Sequence, residues 1–501
     1  MTESAREFDS ESAHPMVKEV MERSQQNLLA CYQCRRCAAG CPVGEETGYI
    51  TPDRLIRMIV LGDRENALNN QLVWRCVSCY TCGTRCPNDI QTARITETIK
   101  KIAKETHLDP LKPKVAHFHD TFVNSGIRWG RLNEMEFMSF YELKNTIKDL
   151  KRLKFKSIYD ELMAKTKLGL KMARRKRMHM GFQSAKGRSE ISVFMKRPRK
   201  KRSDVTKRLI MDIGYYPGCT LHASSSLYDV QSRRVFNEVG INLKEIEDWN
   251  CCGATSAGKV DDFLAVAMPA RNIGIAEADG FSEIVIPCSA CYSRTLVAQK
   301  RLEDDPILKS EINTELTKKI QGTIKVSSIL EVLLTKVASG ELAEKVSQKL
   351  KGLKPACYYG CMQTRFPYKV PVPDDVENPQ GMETVLKVLG AKPLDWSYKT
   401  DCCGASAAVN DEEAALNLMA RIMKDAVARG ANCLVVTCPM CQLNMDSYQD
   451  QICEKQEIKE RLPVYFITEM VGVAMGVSVE ELQIDRHFVE SAELLKELNI
   501  I

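Results

Sequence analysis

Apolar positions along the chain follow two kinds of pattern. Leu55, Ile56, Met58 and Ile59 recur at helical spacing just after Thr51-Pro52-Asp53, and Pro52 suits a first helical turn. Longer helical patterns run from Leu264 to Ala278 and from Ala414 to Ala428. Each is followed by a short β-branched run, Glu283 to Ile286 and Cys433 to Thr437, that ends at a cysteine. A helix leading into a strand, twice over, predicts a duplicated α/β unit. Between these regions Leu150, Leu153, Ile158 and Leu162 keep helical spacing until Gly, Ser and Pro accumulate, which reads as helix and then connector. No stretch approaches about 18 uncharged apolar residues, so no transmembrane helix is expected. Met1 to Ser12 is polar and acidic, unlike a signal or transit peptide.

Composition sharpens this picture at one point. A chain of 501 residues, 27% charged and 44% hydrophobic, suggests roughly three globular domains. Its 21 cysteines are unusual. With no export signal, metal–thiolate sites in a reducing cytoplasm are expected in preference to disulfides. Eight cysteines lie between Cys31 and Cys86 and thirteen between Cys219 and Cys453, with none in the 132 residues from Pro87 to Gly218. That gap carries the charge. Residues 142–202 hold 21 Lys/Arg against 5 Asp/Glu, so a formal net charge of +6 conceals −10 over the rest of the chain. The basic stretch, including Arg174, Arg175, Lys176 and Arg177 and ending at Arg199 to Arg202, reads as a solvated linker or a dock for an acidic partner protein. No aromatic platform or fold motif beside it supports nucleic acid or anionic lipid.

The first cysteine block reads C-x2-C-x2-C-x3-C-P twice: Cys31, Cys34, Cys37, Cys41-Pro42, then Cys76, Cys79, Cys82, Cys86-Pro87. This is the bacterial ferredoxin spacing, in which three close thiolates and a fourth from the other run hold each [4Fe–4S] cubane. Cys31, Cys34, Cys37 and Cys86 are therefore assigned to one cluster, and Cys76, Cys79, Cys82 and Cys41 to the other. Zinc would prefer two separated C-x2-C pairs.

The second block is an internal duplication. Cys219, Cys251-Cys252-Gly253, Cys288 and Cys291 are matched by Cys361, Cys402-Cys403-Gly404, Cys438 and Cys441. The surroundings match too: Tyr215-Tyr216-Pro217-Gly218 with Tyr358-Tyr359-Gly360, and Ile329-Leu330-Glu331 with Ile467-Thr468-Glu469. The second repeat carries a Pro-rich insertion, Phe366 to Pro379, that could line an entrance. Adjacent cysteines cannot easily chelate one tetrahedral ion, but they can cap different irons of one cluster. Five cysteines exceed the need of one cubane or one zinc. Strand ends are where open α/β sheets place ligands. The expected architecture is α+β and multidomain. An α-helical ferredoxin-type domain with two clusters covers 1–110 and a basic helical linker region 111–208. CCG repeats cover 209–335 and 353–475, and a C-terminal helical tail 476–501.

These CCG repeats resemble those of the catalytic B-type component of heterodisulfide reductase, and the dicluster segment resembles its C-type component. The words Thr51-Pro52-Asp53-Arg54-Leu55-Ile56-Arg57-Met58 and Trp74-Arg75-Cys76-Val77-Ser78-Cys79-Tyr80-Thr81-Cys82 carry that likeness. The order C-type then B-type resembles the fused D-type component of the membrane-linked enzyme. The resemblance implies a non-cubane [4Fe–4S] cluster on each set of five cysteines. It also implies that a disulfide such as coenzyme M–coenzyme B heterodisulfide enters between the two clusters and is reduced, or formed, there. It implies a partner as well: a flavin-bearing, electron-bifurcating A-type component, or a cytochrome-b-type membrane protein that would bring the chain to a membrane. No nucleotide fingerprint is present, so no flavin is expected in this chain. The competing expectation is an electron-transfer component of a quinone-linked, lactate, glycolate or glycerol-phosphate type complex without disulfide cleavage. A nucleic-acid-binding role for residues 171–202 is a third and weaker reading.

Three cysteines are left over. Cys361 fits the ligand pattern better than Cys357, Cys433 reads as core, and Cys453 as incidental. An acidic thiol conjugate would want nearby cations or hydrogen bonds, making Arg365, Lys369, His222 and Arg294 candidate substrate contacts. His117 and His119 have no companion ligand in the sequence and read as ordinary.

Overall fold

The computed structural model describes residues 14–151 apart from 49, 107 and 109, then 163, 166, 169–177 and 184–191, and 213–501 apart from 373 and 457. Leu153, Ile158, Leu162 and Arg199 to Arg202 lie outside the described residues. The chain divides into two compact units, Met1–Ala116 and His117–Ile501.

The first unit is helical. Pro52 opens the helix Pro52–Val60 as expected, and Leu55, Ile56 and Ile59 are its buried face. Val17 and Val20 of Pro15–Ser24 and Ile95, Ile99 and Ile102 of Thr92–Glu105 are buried too, and Pro15–Ser24 packs against both other helices. The two cysteine runs lie in tight turns outside the long helices.

The second unit holds two parallel sheets, one per repeat. Strands β1 (Ile213–Tyr215), β2 (Leu243–Glu245), β3 (Glu283–Ile286) and β4 (Lys325–Ser328) order as β2-β1-β3-β4. Strands β5 (Pro355–Tyr358), β6 (Cys433–Val436) and β7 (Val464–Phe466) order as β5-β6-β7. Both sheets are parallel throughout. Among the described residues the edge strand β2 has no counterpart strand in the second sheet, yet Lys392 N and Leu394 N donate to Leu353 and Pro355 carbonyls there. Pro393 lies between them, and a proline has no N–H to continue a ladder. The matched Ile-Leu-Glu and Ile-Thr-Glu words cap helices. The Glu331 carboxylate accepts from Ser328 N at 2.6 Å, and that of Glu469 from Phe466 N at 2.7 Å.

The repeats pack directly on each other. Tyr228 stacks on Phe466 with ring centroids 3.9 Å apart and planes 6° from parallel. Gln231 donates to the buried Glu469 carboxylate at 2.6 Å. The tail is only partly helical, over the short 3-10 turn Ile484–Arg486 and the helix Ala492–Glu497, and it ties the repeats together: Gln231 also donates to Leu482 O, and Tyr465 OH bonds Ser491 O.

The linker expectation changes in one respect. The helices Pro113–Trp129 and Glu134–Lys151 form a hairpin whose Phe118, Phe137 and Tyr141 make an apolar cluster that also packs Val409 of the second repeat. Further along, Arg177 is fully buried, and Glu190 pairs with Arg271 of the first repeat. The described parts of this segment are thus built into the CCG unit, although their high charge reads as solvent-facing in the sequence.

Candidate iron–sulfur centres

In the first unit the two runs fold alike. Gln33 and Arg35 flank Cys34 with φ of 55° and 62°, and Ser78 and Tyr80 flank Cys79 with φ of 54° and 57°. Such left-handed residues turn the chain sharply enough to aim three sulfurs at one point. One cavity is lined by Cys41, Cys76, Cys79 and Cys82, and another by Cys31, Cys34, Cys37 and Cys86. Each cavity therefore takes three cysteines from one run and the last from the other. Burial first, then the charges of Cys79, Cys76 and Cys82, push the Cys41 thiol well up. Burial, with Asp53, Cys31 and Cys86 adding, raises Cys37 to about 11. Thiols crowded this closely repel as anions, and a cationic iron–sulfur core relieves that repulsion. The donor sets thus fit such a group. Cys34 is exposed and Cys79 buried, so the cavity lined by Cys31, Cys34, Cys37 and Cys86 lies nearer the surface of its unit.

In the second unit, strand ends position the sulfurs. Strands β1 and β5 run into Gly218-Cys219 and Gly360-Cys361. A Cβ on Gly218 would sit 2.9 Å from Cys291 Sγ, and one on Gly360 2.6 Å from Cys441 Sγ, so each glycine admits a sulfur against the backbone. Cys288 and Cys438 are N-caps of helices Ser289–Asp304 and Pro439–Ser447, with Cys291 and Cys441 in the first turns. Helix N-termini favour thiolates there. The Cys-Cys-Gly-Ala loops share an unusual backbone, with Ala254 and Ala405 at φ of 40° and 44°. Strain repeated at equivalent positions marks a constrained site. Phenols brace both loops: Tyr216 OH donates to Asn250 O and Tyr358 OH to Asp401 O, both at 2.8 Å.

The thiols are joined by hydrogen bonds, in one chain in the first repeat and in two groups in the second. Cys219 joins Cys251, then Cys252, Cys291 and Cys288. In the second repeat Cys361 joins Cys402, while Cys403, Cys441 and Cys438 are linked, with Cys403 Sγ 3.8 Å from Cys441 Sγ. Both sets suit a polynuclear thiolate-bound group and exceed the need of a single ion. The two sets meet at the seam between repeats. The Ser289 hydroxyl reaches Gln363 Oε1 at 2.9 Å and also bonds the sulfur of Cys438. Tyr228 lies beside both Cys288 and Cys438.

The other candidates scatter. Arg365 is buried against Thr400, with nitrogens 2.7 Å and 2.6 Å from its carbonyl and hydroxyl oxygens, and faces Glu377. Lys369 is exposed. Arg294 is buried on the same helix as Cys291, Ser289–Asp304. His222 pairs with Glu245 at 3.2 Å and packs edge-on against Trp249. Burial alone would raise the Glu245 carboxyl, but hydrogen bonds from His222 and Trp249 and the charges of His222 and Arg233 hold it at about 2. Cys357 and Cys433 lie buried on β5 and β6, and Cys453 is half-buried near Glu460 O.

His119 is less ordinary than the sequence suggests. Its Nδ1 lies 2.9 Å from Ser256 Oγ, just past the first CCG loop, and its Nε2 lies 3.1 Å from the buried Lys259 Nζ. His117 bonds Asn145 at 2.8 Å within the hairpin. No spacing signal reveals His119, because Ser256 is 137 positions away.

Known proteins share these parts. Residues 30–91 match the 4Fe-4S dicluster domain family, and 213–294 and 356–446 each match the CCG cysteine-rich domain family. The chain is 33% identical over 286 residues to the membrane anchor of the 8-methylmenaquinol:fumarate reductase of Wolinella succinogenes, covering 56% of this chain and 99% of that protein. It is 27% identical over 292 residues to the B component of the ferredoxin/F420H2-dependent CoB-CoM heterodisulfide reductase of Methanosarcina acetivorans, covering 57% and 96%. It is 34% identical over 131 residues to the iron-sulfur C component of the CoB–CoM heterodisulfide reductase of Methanopyrus kandleri, covering 25% and 67%. No helix among the described residues is long and apolar enough to cross a membrane.

Proposed function

The chain belongs to the heterodisulfide reductase family of iron–sulfur proteins, joining a C-type dicluster domain to a B-type pair of CCG domains, and from that premise we propose that it is the disulfide-handling component of a larger reductase. Cys31, Cys34, Cys37 and Cys86 would hold one cubane [4Fe–4S] cluster, and Cys76, Cys79, Cys82 and Cys41 the other. Cys219, Cys251, Cys252, Cys288 and Cys291 would hold a non-cubane cluster, as would Cys361, Cys402, Cys403, Cys438 and Cys441. Bound clusters supply one-electron transfer at thiolate-ligated iron.

The net reaction takes a disulfide, two electrons and two protons to two thiols. The electrons come from a partner carrying flavin or a b-type haem. The observation that carries this reading is the seam: two complete five-thiol sets meet where Ser289 touches both Gln363 and Cys438. At the seam Tyr228 and Ser289 orient the Cys438 strand end, and the Tyr228–Phe466 stack excludes water beside it. Anaerobic EPR of the full chain tests the reading. Thiol added under oxidising conditions should perturb a CCG-set signal, and a spectrum indifferent to every thiol and disulfide would refute it.

The likeness to a menaquinol-linked membrane anchor favours a second reading, in which the CCG sets relay electrons for a quinol-linked complex. Signals that respond to a quinol analogue through a membrane partner, and to no disulfide, would select it.

A further inference from the structure

The two CCG sets arise by duplication, yet among the described residues only the first is hydrogen-bonded by the helical hairpin that lies outside the duplication. The hairpin turn, Gly130 to Asn133, sits against the first set. Leu132 N donates to Cys219 Sγ at 3.2 Å. Cys251 N in turn donates to Gly130 O at 2.8 Å, which fixes the turn to the Cys-Cys pair. Arg131, between them, donates from Nε to Trp249 O at 3.0 Å and lays its guanidinium 4.0 Å above the Trp249 ring.

The charge of Arg131 is not consumed by its neighbours. The groups facing it are Cys219, Glu245, Asp248 and Tyr216. Glu245 already pairs with Arg233 and His222. Asp248 pairs with Arg271 and accepts from Gly187 N. Trp249 holds one edge of the guanidinium, and among the described residues its terminal nitrogens have no hydrogen-bond acceptor. Cys219 is thus the thiol that faces Arg131, and among the described residues it pairs with no other cation. In the second repeat the counterpart, Cys361, receives no backbone N–H from outside its repeat among the described residues. Sulfurs of the second set are bonded by the Ser289 hydroxyl at Cys438 and by Asn444 Nδ2 at Cys403, the latter at a longer 3.6 Å, and among the described residues by no group of the hairpin.

We propose that the Gly130–Asn133 turn is an electropositive cap on the first cysteine set, raising the reduction potential of the group bound there above that of its twin on the second set. Hydrogen bonds to ligand sulfur and nearby positive charge both favour the more reduced, more negative state of an iron–sulfur group. Arg131 acts through Cys219 and is a positioning residue, not one that touches substrate. The inference rests on the reading above that both five-cysteine sets hold redox groups. Its consequence is an order between two otherwise equivalent sites, which would give an unsymmetrical disulfide a preferred orientation.

The experiment is an anaerobic redox titration of the full chain followed by EPR, with iron counted per chain, on the wild type, Arg131→Met and Arg131→Lys. The wild type should show two CCG-set signals with separate midpoints. Arg131→Met should shift the higher midpoint downward and leave the other CCG signal and the dicluster signals in place. Arg131→Lys should stay near the wild-type midpoint, because it keeps the charge but not the stacked guanidinium. If Met and Lys shift the potential alike, the effect is packing and the electrostatic cap is refuted. If Arg131→Met moves both CCG signals or neither, the cap is refuted while the redox reading stands. A wild type with no CCG-set signals at all overturns both.

Discussion

Tyr216 donates its buried phenol to the carbonyl of Asn250 at 2.8 Å, and Tyr358 repeats the contact at Asp401. Each phenol thus pins the residue just before a Cys-Cys pair, and each lies three positions ahead of the first cysteine of its set. Removing either hydroxyl should cost about 1 kcal/mol in denaturant unfolding. Tyr216→Phe should fall at the low end, because Asn272 Nδ2 still donates to Asn250 O at 2.8 Å. Equal midpoints for wild type and Tyr358→Phe would show that the brace adds nothing.

The crossed arrangement of the two runs has a simple test. Cys37 lines one cavity of the first unit and Cys41 the other. Cys37→Ser combined with Cys41→Ser should therefore impair two clusters, lowering iron by about as much as losing both. If each run held its own cluster, the pair would impair one. Iron per chain and the EPR of the reduced protein distinguish the outcomes.

Much of this was legible in the sequence because it depends on spacing. The C-x2-C turns, the duplicated Cys-Cys-Gly-Ala loops and the strands ending at Cys288 and Cys438 follow from local pattern. The contacts that distinguish one repeat from the other do not. Leu132 meets Cys219 across 87 positions, and Arg177 meets Asp446 across 269. Leu132 contributes a backbone amide, which every residue except proline possesses, so no residue type advertises the contact. Arg177 sits in a run of cations, and charge runs normally face water. Its burial depends on three acceptors from distant elements converging on one guanidinium.

Glu134 predicts a pH dependence. It starts the second hairpin helix and accepts from Ser224 Oγ at 3.0 Å. Burial raises its carboxyl to about 7, although Ser224 and the Arg177 charge oppose the shift. The folded state therefore binds this proton more tightly than the unfolded chain. Its contribution is fully present below the ordinary range near 4.5 and is lost as pH rises through about 7. The slope from one such group cannot exceed about 1.4 kcal/mol per pH unit. Glu134→Gln should flatten the stability profile between about pH 4.5 and 7 and gain stability relative to wild type above it. An unchanged slope in urea titrations across that window would assign the pH dependence to other groups.

Arg177 makes the strongest stability prediction. Its side chain is fully buried and holds three elements at once. Nε donates to Ser224 O in the first repeat at 3.0 Å, and Nη2 to Gln442 Oε1 at 2.9 Å, next to Cys441. Nη1 lies 3.2 Å from Asp446, which also accepts from Phe488 N and Val489 N of the tail. Burial lowers its proton affinity, and Asp446, Glu469 and Glu134 oppose that shift without cancelling it. Removing one partner of such a pair leaves a buried charge uncompensated, so Arg177→Met should cost about 3–5 kcal/mol. Arg177→Lys should recover little, because an ammonium cannot satisfy three acceptors set in the plane of a guanidinium. Asp446 has other donors, so Arg177→Met with Asp446→Asn should cost less than the sum of the single changes. Strict additivity in that cycle would mean that Arg177 contributes packing area and hydrogen bonds, and that its charge is idle.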